Sequence, residues 1–200
     1  MTGLLALLIA YIFGAVPFGY LLVKFTRGGD IRAEGSGNIG ATNVLRTSGH
    51  KLGVATLMLD ILKGVAAVWI ADRLTASDPA WTSLAALAVM AGHAFPVFLG
   101  FKGGKAVASF IGAFGFLTPL PLLAILLLFT SVVAVTKYIS AGSIIAAAAF
   151  PVGVWIILHP PWQVMASALV AGAFIVYRHR SNLQRLRAGT ENVFVWKKSR

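Results

Sequence analysis

The chain has 200 residues, of which 58% are hydrophobic and only 12% charged, and a mean hydropathy of +0.84 excludes an ordinary soluble globular domain. Its 17 Lys and Arg against 6 Asp and Glu, a net charge of +11, fit basic loops beside anionic lipid headgroups better than a nucleic-acid footprint, so membrane lipids and no nucleic acid are the expected partners. With no cysteine, the chain has no disulfide, no Cys-ligated metal and no thiol nucleophile.

The first segment, MTGLLALLIAYIFGAVPFGYLLVKF, lacks a basic start and runs too long for a cleaved signal peptide, so residues 4–24 read as the first membrane span. A helical span needs about 20 apolar residues, and residues 52–72, 82–100, 140–158 and 162–178 meet that test. Residues 106–136 are too long for one span and are broken by TPLP at 118–121, where two prolines remove donors and favour a turn. That divides them into a short helix, 106–118, and a second, 121–136. The expected fold is an all-α integral membrane protein of seven transmembrane helices, one of them short. Residues 1–200 form a single polytopic domain without internal repeat or linker.

Seven spans place the termini on opposite sides. With the N-terminus outside and the C-terminus cytosolic, all but two of the 17 basic residues fall on the inner side, among them Lys24, Arg46, Lys105, Lys137, Arg178, Lys197, Lys198 and Arg200. The exceptions are Lys63, within a span, and Arg73, outside. Trp69, Trp81, Trp155 and Trp162 all fall near the outer interface, where an aromatic belt is expected.

On this topology four polar, glycine-rich segments share the cytosolic face: 34–46, 100–109, 137–143 and 178–191. One pocket drawing on all four is the expectation. In EGSGNIGATNVLR, Ser36, Asn38, Thr42 and Asn43 are hydrogen-bonding groups and Arg46 is a fork suited to phosphate oxygens; a capped surface loop is the alternative. In KGGK, Gly103 and Gly104 precede a helix whose unpaired N–H groups would face outward as an anion seat, with Lys102 and Lys105 adding charge. The competing reading is a tight turn flanked by snorkelling lysines.

Ser140 and Ser143 precede the sixth span, where serine ordinarily caps, and Ser143 is also placed to reach a ligand. His179 and Asn182 are three apart, on one side of a helix if the last span continues into the tail; simple membrane anchoring is the other reading of that basic tail. His93 reads as helix-end packing. Asp60 and Lys63 are spaced to pair within the second span and are read as structural. Small residues in AGSIIAAAA and ASALVAGA would let the last two spans approach closely. No carboxylate pair or metal cluster is present in the sequence pattern, so neither metal nor cofactor is expected. Acyl transfer from an activated donor to an alcohol asks mainly for placement and anion-stabilising donors.

Taken in order, GAVPFGYLL, GSGNIGATNVLR, LDILKG, GHAFPVFLGFKGGKAVAS, SAGS and RHRSNLQRLRAGTE resemble the PlsY family of bacterial membrane acyltransferases over nearly the whole chain. The resemblance implies transfer of a fatty acyl group from acyl phosphate to glycerol 3-phosphate, the first acylation of phospholipid synthesis, in the bacterial inner membrane. It assigns Ser36 and Arg46 to the active site and Asn38 and Thr42 to ligand contacts. Gly103, Gly104 and Lys105 correspond to the site for the phosphate of glycerol 3-phosphate, and Ser143 faces the pocket. His179 and Asn182 match a functional pair, and Glu191 a glutamate that supports structure. Ala106 and Ser109 depart from the family's usual GGKGVAT and imply a tighter phosphate loop. A membrane transporter of phosphate or organophosphate is the rival reading, with the break at TPLP in its favour and the absence of a repeat against it.

Overall fold

The computed structural model describes residues 1–194; Lys197, Lys198 and Arg200, counted above with the inner basic residues, lie outside the described residues. The described chain is helical throughout and packs as two compact units, 1–117 and 118–200.

Pro17 shapes the start of the first unit. It cannot donate to the ladder, and it pushes Val16 into an extended conformation, so the first apolar segment is two helices, α1 (Thr2–Ala15) and α2 (Phe18–Arg27). The span expected over 4–24 is one apolar segment long enough to cross, Thr2–Arg27, built from these two helices. The short α3 (Ala41–Ser48) follows the polar loop, then α4 (His50–Leu74) and α5 (Pro79–Ala94), the latter capped by Asp78 accepting from the N–H groups of Ala80 and Trp81. A single 3-10 turn, Val97–Leu99, leads to the glycine loop and to α6 (Val107–Leu117).

The short helix before TPLP is therefore present, and the break falls at Thr118, with Pro119 opening α7 (Pro119–Thr136). The second unit continues with α8 (Ile139–Leu158), α9 (Trp162–Arg178) and α10 (Arg180–Arg187). By length and hydropathy, segments Thr2–Arg27, His50–Leu74, Pro79–Leu99, Pro119–Thr136 and Ile139–Leu158 can cross a membrane; α6 and α9 are shorter apolar helices.

The packing is that of helices in lipid. Buried positions are mostly small, such as Ala6, Ala10, Ala67, Ala71, Ala85 and Ala86, while Leu4, Leu8, Leu57, Leu62, Leu123 and Leu127 are exposed. Hydrocarbon solvates leucine as well as a protein core does, so association depends on close backbone approach. Between α4 and α6 the contact is reciprocal: a Cβ on Gly64 would strike the Ser109 carbonyl, and one on Gly112 the Ile61 carbonyl. Gly172 of α9 lies against the Ala147 carbonyl of α8, the close approach expected of those two small-residue stretches.

Asp60 and Lys63 do pair, at 2.7 Å, with both side chains almost wholly buried. Lys63 also donates to the carbonyl of Val16 at 2.9 Å and sits over the Phe18 ring, so the pair closes the break between α1 and α2. Removing one member would leave a lone buried charge, at a cost of about 3–5 kcal/mol.

Candidate active site

In the first unit the stretch 34–46 is organised by a residue the sequence reading treated as one donor among several. Asn43 is 2% exposed. Its amide nitrogen donates to the carbonyls of Glu34 (3.0 Å) and Asn38 (2.9 Å), and its Oδ1 accepts from the Ser36 N–H at 2.9 Å. The loop is thereby wrapped around one side chain. Gly35 has φ 59°, and a Cβ there would overlap Asn43 Oδ1, so only glycine suits the position. Asn38 accepts the Gly40 N–H at its Oδ1 (2.8 Å), a local turn. Ile39, the one bulky apolar residue of EGSGNIGATN, plugs into a cluster with Val23, Ile31 and Val44, against which Leu99 also packs. The loop and the turn before the glycine segment thus lie at one end of the unit.

Above that anchor, Ser36, Thr42 and Arg46 are exposed. Thr42 and Arg46 are four apart on α3 and share a face. Among the described residues, neither hydroxyl makes a hydrogen bond and Arg46 has no ion-pair partner; the neighbouring Arg27 is instead committed to Thr47 O and Ser48 Oγ at the end of α3. Arg32 is committed to Asp30, whose carboxyl is held down at about 2 chiefly by the hydrogen bonds from the Arg32 side chain and N–H.

In the glycine loop, the amides of Gly103 and Gly104 donate to the carbonyls of Ala94 and His93, each at 3.1 Å. The glycines serve a close approach, since a Cβ on Gly103 would meet the His93 carbonyl and Pro96, and one on Gly104 the His93 ring. Lys105 follows, half-buried, and then Ala106, buried with φ 62°. At one of the two departures from the family pattern, alanine therefore occupies a left-handed conformation. At the other, the buried Ser109 places its hydroxyl 3.1 Å from His93 Nδ1. His93, read from the sequence as packing, lies at the centre of this segment.

In the second unit, His179 joins α9 to α10, so the pair is carried by a helical junction and not by one continuous helix. His179 and Asn182 are both buried. His179 Nδ1 is 2.8 Å from the Ile175 carbonyl. A carbonyl only accepts, so Nδ1 carries the proton and the lone pair of the neutral ring is on Nε2. Glu191 is the hub of this region: Oε1 accepts from Asn182 Nδ2 (2.8 Å) and Ser140 Oγ (3.1 Å), and Oε2 from Arg185 Nε (2.8 Å). Its expected supporting role has this geometry behind it. Neither serine caps α8. Ser140 is tied to Glu191, and Ser143 turns back on the Ile139 carbonyl at 3.0 Å, because the helix begins at Ile139 and both serines already lie inside it.

A family model described as glycerol-3-phosphate acyltransferase matches residues 4–189. The chain belongs to that family. It is 49% identical over 194 residues to the glycerol-3-phosphate acyltransferase of Geobacter sulfurreducens, covering 97% of this chain and 98% of that one. It is 48% identical over 195 residues to that of Trichlorobacter lovleyi, covering 96% and 98%. Its fold is similar to the crystal structure of PlsY (YgiH), an integral membrane glycerol 3-phosphate acyltransferase, in its glycerol 3-phosphate form, with a TM-score of 0.92 and 37% identity over 98% of this chain and 96% of that chain. The lysophosphatidic acid form of PlsY matches with a TM-score of 0.89 and 36% identity over the same shares. With the family, the fold and the apolar helices in agreement, the protein is an all-helical, multi-pass membrane enzyme of the PlsY family.

Proposed function

We propose that the protein transfers a fatty acyl group from acyl phosphate to the 1-hydroxyl of glycerol 3-phosphate, giving lysophosphatidate and inorganic phosphate. The observation that carries this reading is the set of exposed groups, Ser36, Thr42 and Arg46, presented without partners among the described residues over the loop that Asn43 ties down. Groups of that kind bind phosphate oxygens at little cost in broken contacts. Lys105, beside the glycine loop, adds a cation for the phosphate of glycerol 3-phosphate. Asn38 and Ser143 act from within, holding the surroundings of the substrates, and His179 and Asn182 are assigned to the same reaction.

In the step proposed, the C1 oxygen of glycerol 3-phosphate attacks the acyl carbonyl carbon. The ester C–O bond forms, the bond from that carbon to the phosphate oxygen breaks, and phosphate leaves with the electron pair. The hydroxyl proton passes either to the departing phosphate, whose second pKa is near ~6 by analogy with phosphorylated side chains, or to His179 Nε2. His179→Gln separates the two: near-normal turnover assigns the proton to phosphate. Transfer is direct, because Ser36 Oγ is paired with no base among the described residues, and a labelled acyl group trapped on Ser36 would overturn that.

Purified protein in detergent, given acyl phosphate and labelled glycerol 3-phosphate, is expected to form lysophosphatidate and release phosphate without any gradient. Product from acyl-CoA but not acyl phosphate would overturn the donor; no product at all would favour transport. We further propose seven crossings of the bacterial inner membrane, with the site open to the cytosol. The cysteine-free chain allows a clean test. An impermeant maleimide should label Ser77→Cys from outside, and Lys102→Cys and Ser181→Cys only after permeabilisation.

A further inference from the structure

The step proposed above uses nothing from the interior of the first unit, yet a row of buried polar groups runs through it. It starts at the Val16 carbonyl, held by Lys63, and passes through the Lys63–Asp60 pair. Asp60 Oδ1 lies 3.7 Å from His93 Nδ1, and that nitrogen lies 3.1 Å from Ser109 Oγ in the first turn of α6. All four side chains are buried. A buried ion pair is weak evidence for stability, because desolvation offsets most of its attraction, so its placement is the informative property. Here it stands beside one residue that touches the glycine loop in two ways, with its neighbour Ala94 adding a third contact. The His93 carbonyl accepts the Gly104 N–H, the next carbonyl accepts the Gly103 N–H, and the imidazole lies so close to Gly104 that no Cβ fits between them.

We infer that His93 is a positioning residue for glycerol 3-phosphate: held by Ser109 and flanked by Asp60, it sets the path of Gly103–Lys105 and so the aim of Lys105 at the phosphate. This rests on the assignment of that loop to the phosphate of glycerol 3-phosphate. The imidazole does not touch the reacting atoms. On that assignment, its effect falls on glycerol 3-phosphate and not on the acyl donor.

The test compares His93→Asn, Ser109→Ala and Ser109→Thr with the wild type by calorimetric binding of glycerol 3-phosphate and by steady-state kinetics. In Ser109→Ala the lost contact at Nδ1, and in His93→Asn the lost ring against Gly104, should weaken binding about tenfold, the loss expected of one hydrogen bond, and raise KM for glycerol 3-phosphate equally. kcat and KM for acyl phosphate should stay within about threefold. Ser109→Thr keeps the hydroxyl and should restore wild-type affinity. Should His93→Asn fail to fold, Ser109→Ala against Ser109→Thr decides alone. Unchanged affinity in the Ala variant overturns the inference, as does a loss shared equally by both substrates and kcat, which marks a structural role only. The binding arm needs no acyl donor: a wild type that binds glycerol 3-phosphate but does not use acyl phosphate refutes the donor reading and leaves this inference to the affinity shift. A wild type that does not bind glycerol 3-phosphate overturns it.

Discussion

In the first unit, Ser36, Thr42 and Arg46 stand exposed above a buried amide that holds their loop, whereas in the second unit Ser143, His179 and Asn182 are buried and hydrogen-bonded to Ile139, Ile175 and Glu191. A group that has no protein partner exchanges only water when a ligand arrives. A buried group already bonded to its neighbours must break those bonds first, at about 1–3 kcal/mol for each polar atom left unsatisfied. On the proposed function the contrast is a division of labour: binding groups are exposed and replaceable in the first unit, and supporting geometry is internal in the second.

Substitutions should therefore separate activity from stability in one unit and couple them in the other. The largest effect is expected at Arg46. Arg46→Ala should lower kcat/KM by about 30- to 150-fold, the loss of a charge-assisted phosphate contact worth ~2–3 kcal/mol, with Tm unmoved. Arg46→Lys should recover only part, since an ammonium cannot form the fork. A fall in Tm for Arg46→Ala would show that the residue is structural and erase the contrast.

Next is Glu191→Ala, which strands Ser140, Asn182 and Arg185 together. It should destabilise the protein by about 2–4 kcal/mol, read as a lower Tm in detergent, with activity lost in parallel. Glu191→Gln keeps one acceptor and should cost less. Full stability with activity gone would move Glu191 out of the supporting role.

Ala106 permits a smaller and opposite change. Its left-handed backbone costs a non-glycine residue roughly 1–2 kcal/mol, partly offset by the greater unfolded-state entropy of glycine. Ala106→Gly should therefore raise stability by about 0.5–1 kcal/mol. A destabilised variant would mean that packing of the buried methyl group outweighs the strain.

The smallest effect concerns Asp30, partly exposed beside Arg32. Its carboxyl is lowered to about 2 in the folded protein, mainly by the Arg32 hydrogen bonds, so its contribution is present above the ordinary carboxylate range near ~4 and is lost as pH falls toward 2. Asp30→Asn should match the wild type in Tm at the acid end of that window and fall slightly below it above pH ~5, with neutral-pH activity unchanged. A difference that grows toward low pH would contradict this sign.

Much of the architecture was legible because it depends on features local in the chain. Apolar length marks the spans, and TPLP marks the break before α7. The spacing of Asp60 and Lys63 brings them onto one helix face whatever surrounds them. The break at Pro17 was equally written in the residue type, but an apolar run on both sides concealed it; the signal that could have found it is a buried lysine elsewhere with a carbonyl to satisfy. Asn43 and His93 were not legible as hubs. Each has the same composition-level appearance as a surface amide or a packing imidazole, and their roles follow from partners 5 to 16 residues or more away. The same holds for Ser140, whose hydroxyl had a capping role by position and a Glu191 partner 51 residues on.

By itself, the sequence determined the membrane class, the helical content, the segments that carry polar chemistry and, through their order, the family. These follow from hydropathy and residue type, which act over a few turns of chain. Only the tertiary structure decided which polar atoms remain available: it bonded the glycine amides to His93 and Ala94, closed Asn182 onto Glu191 and left Ser36, Thr42 and Arg46 uncovered. A donor or acceptor has the same strength wherever it stands in the chain, and whether it meets a ligand or a neighbour is settled by distance alone.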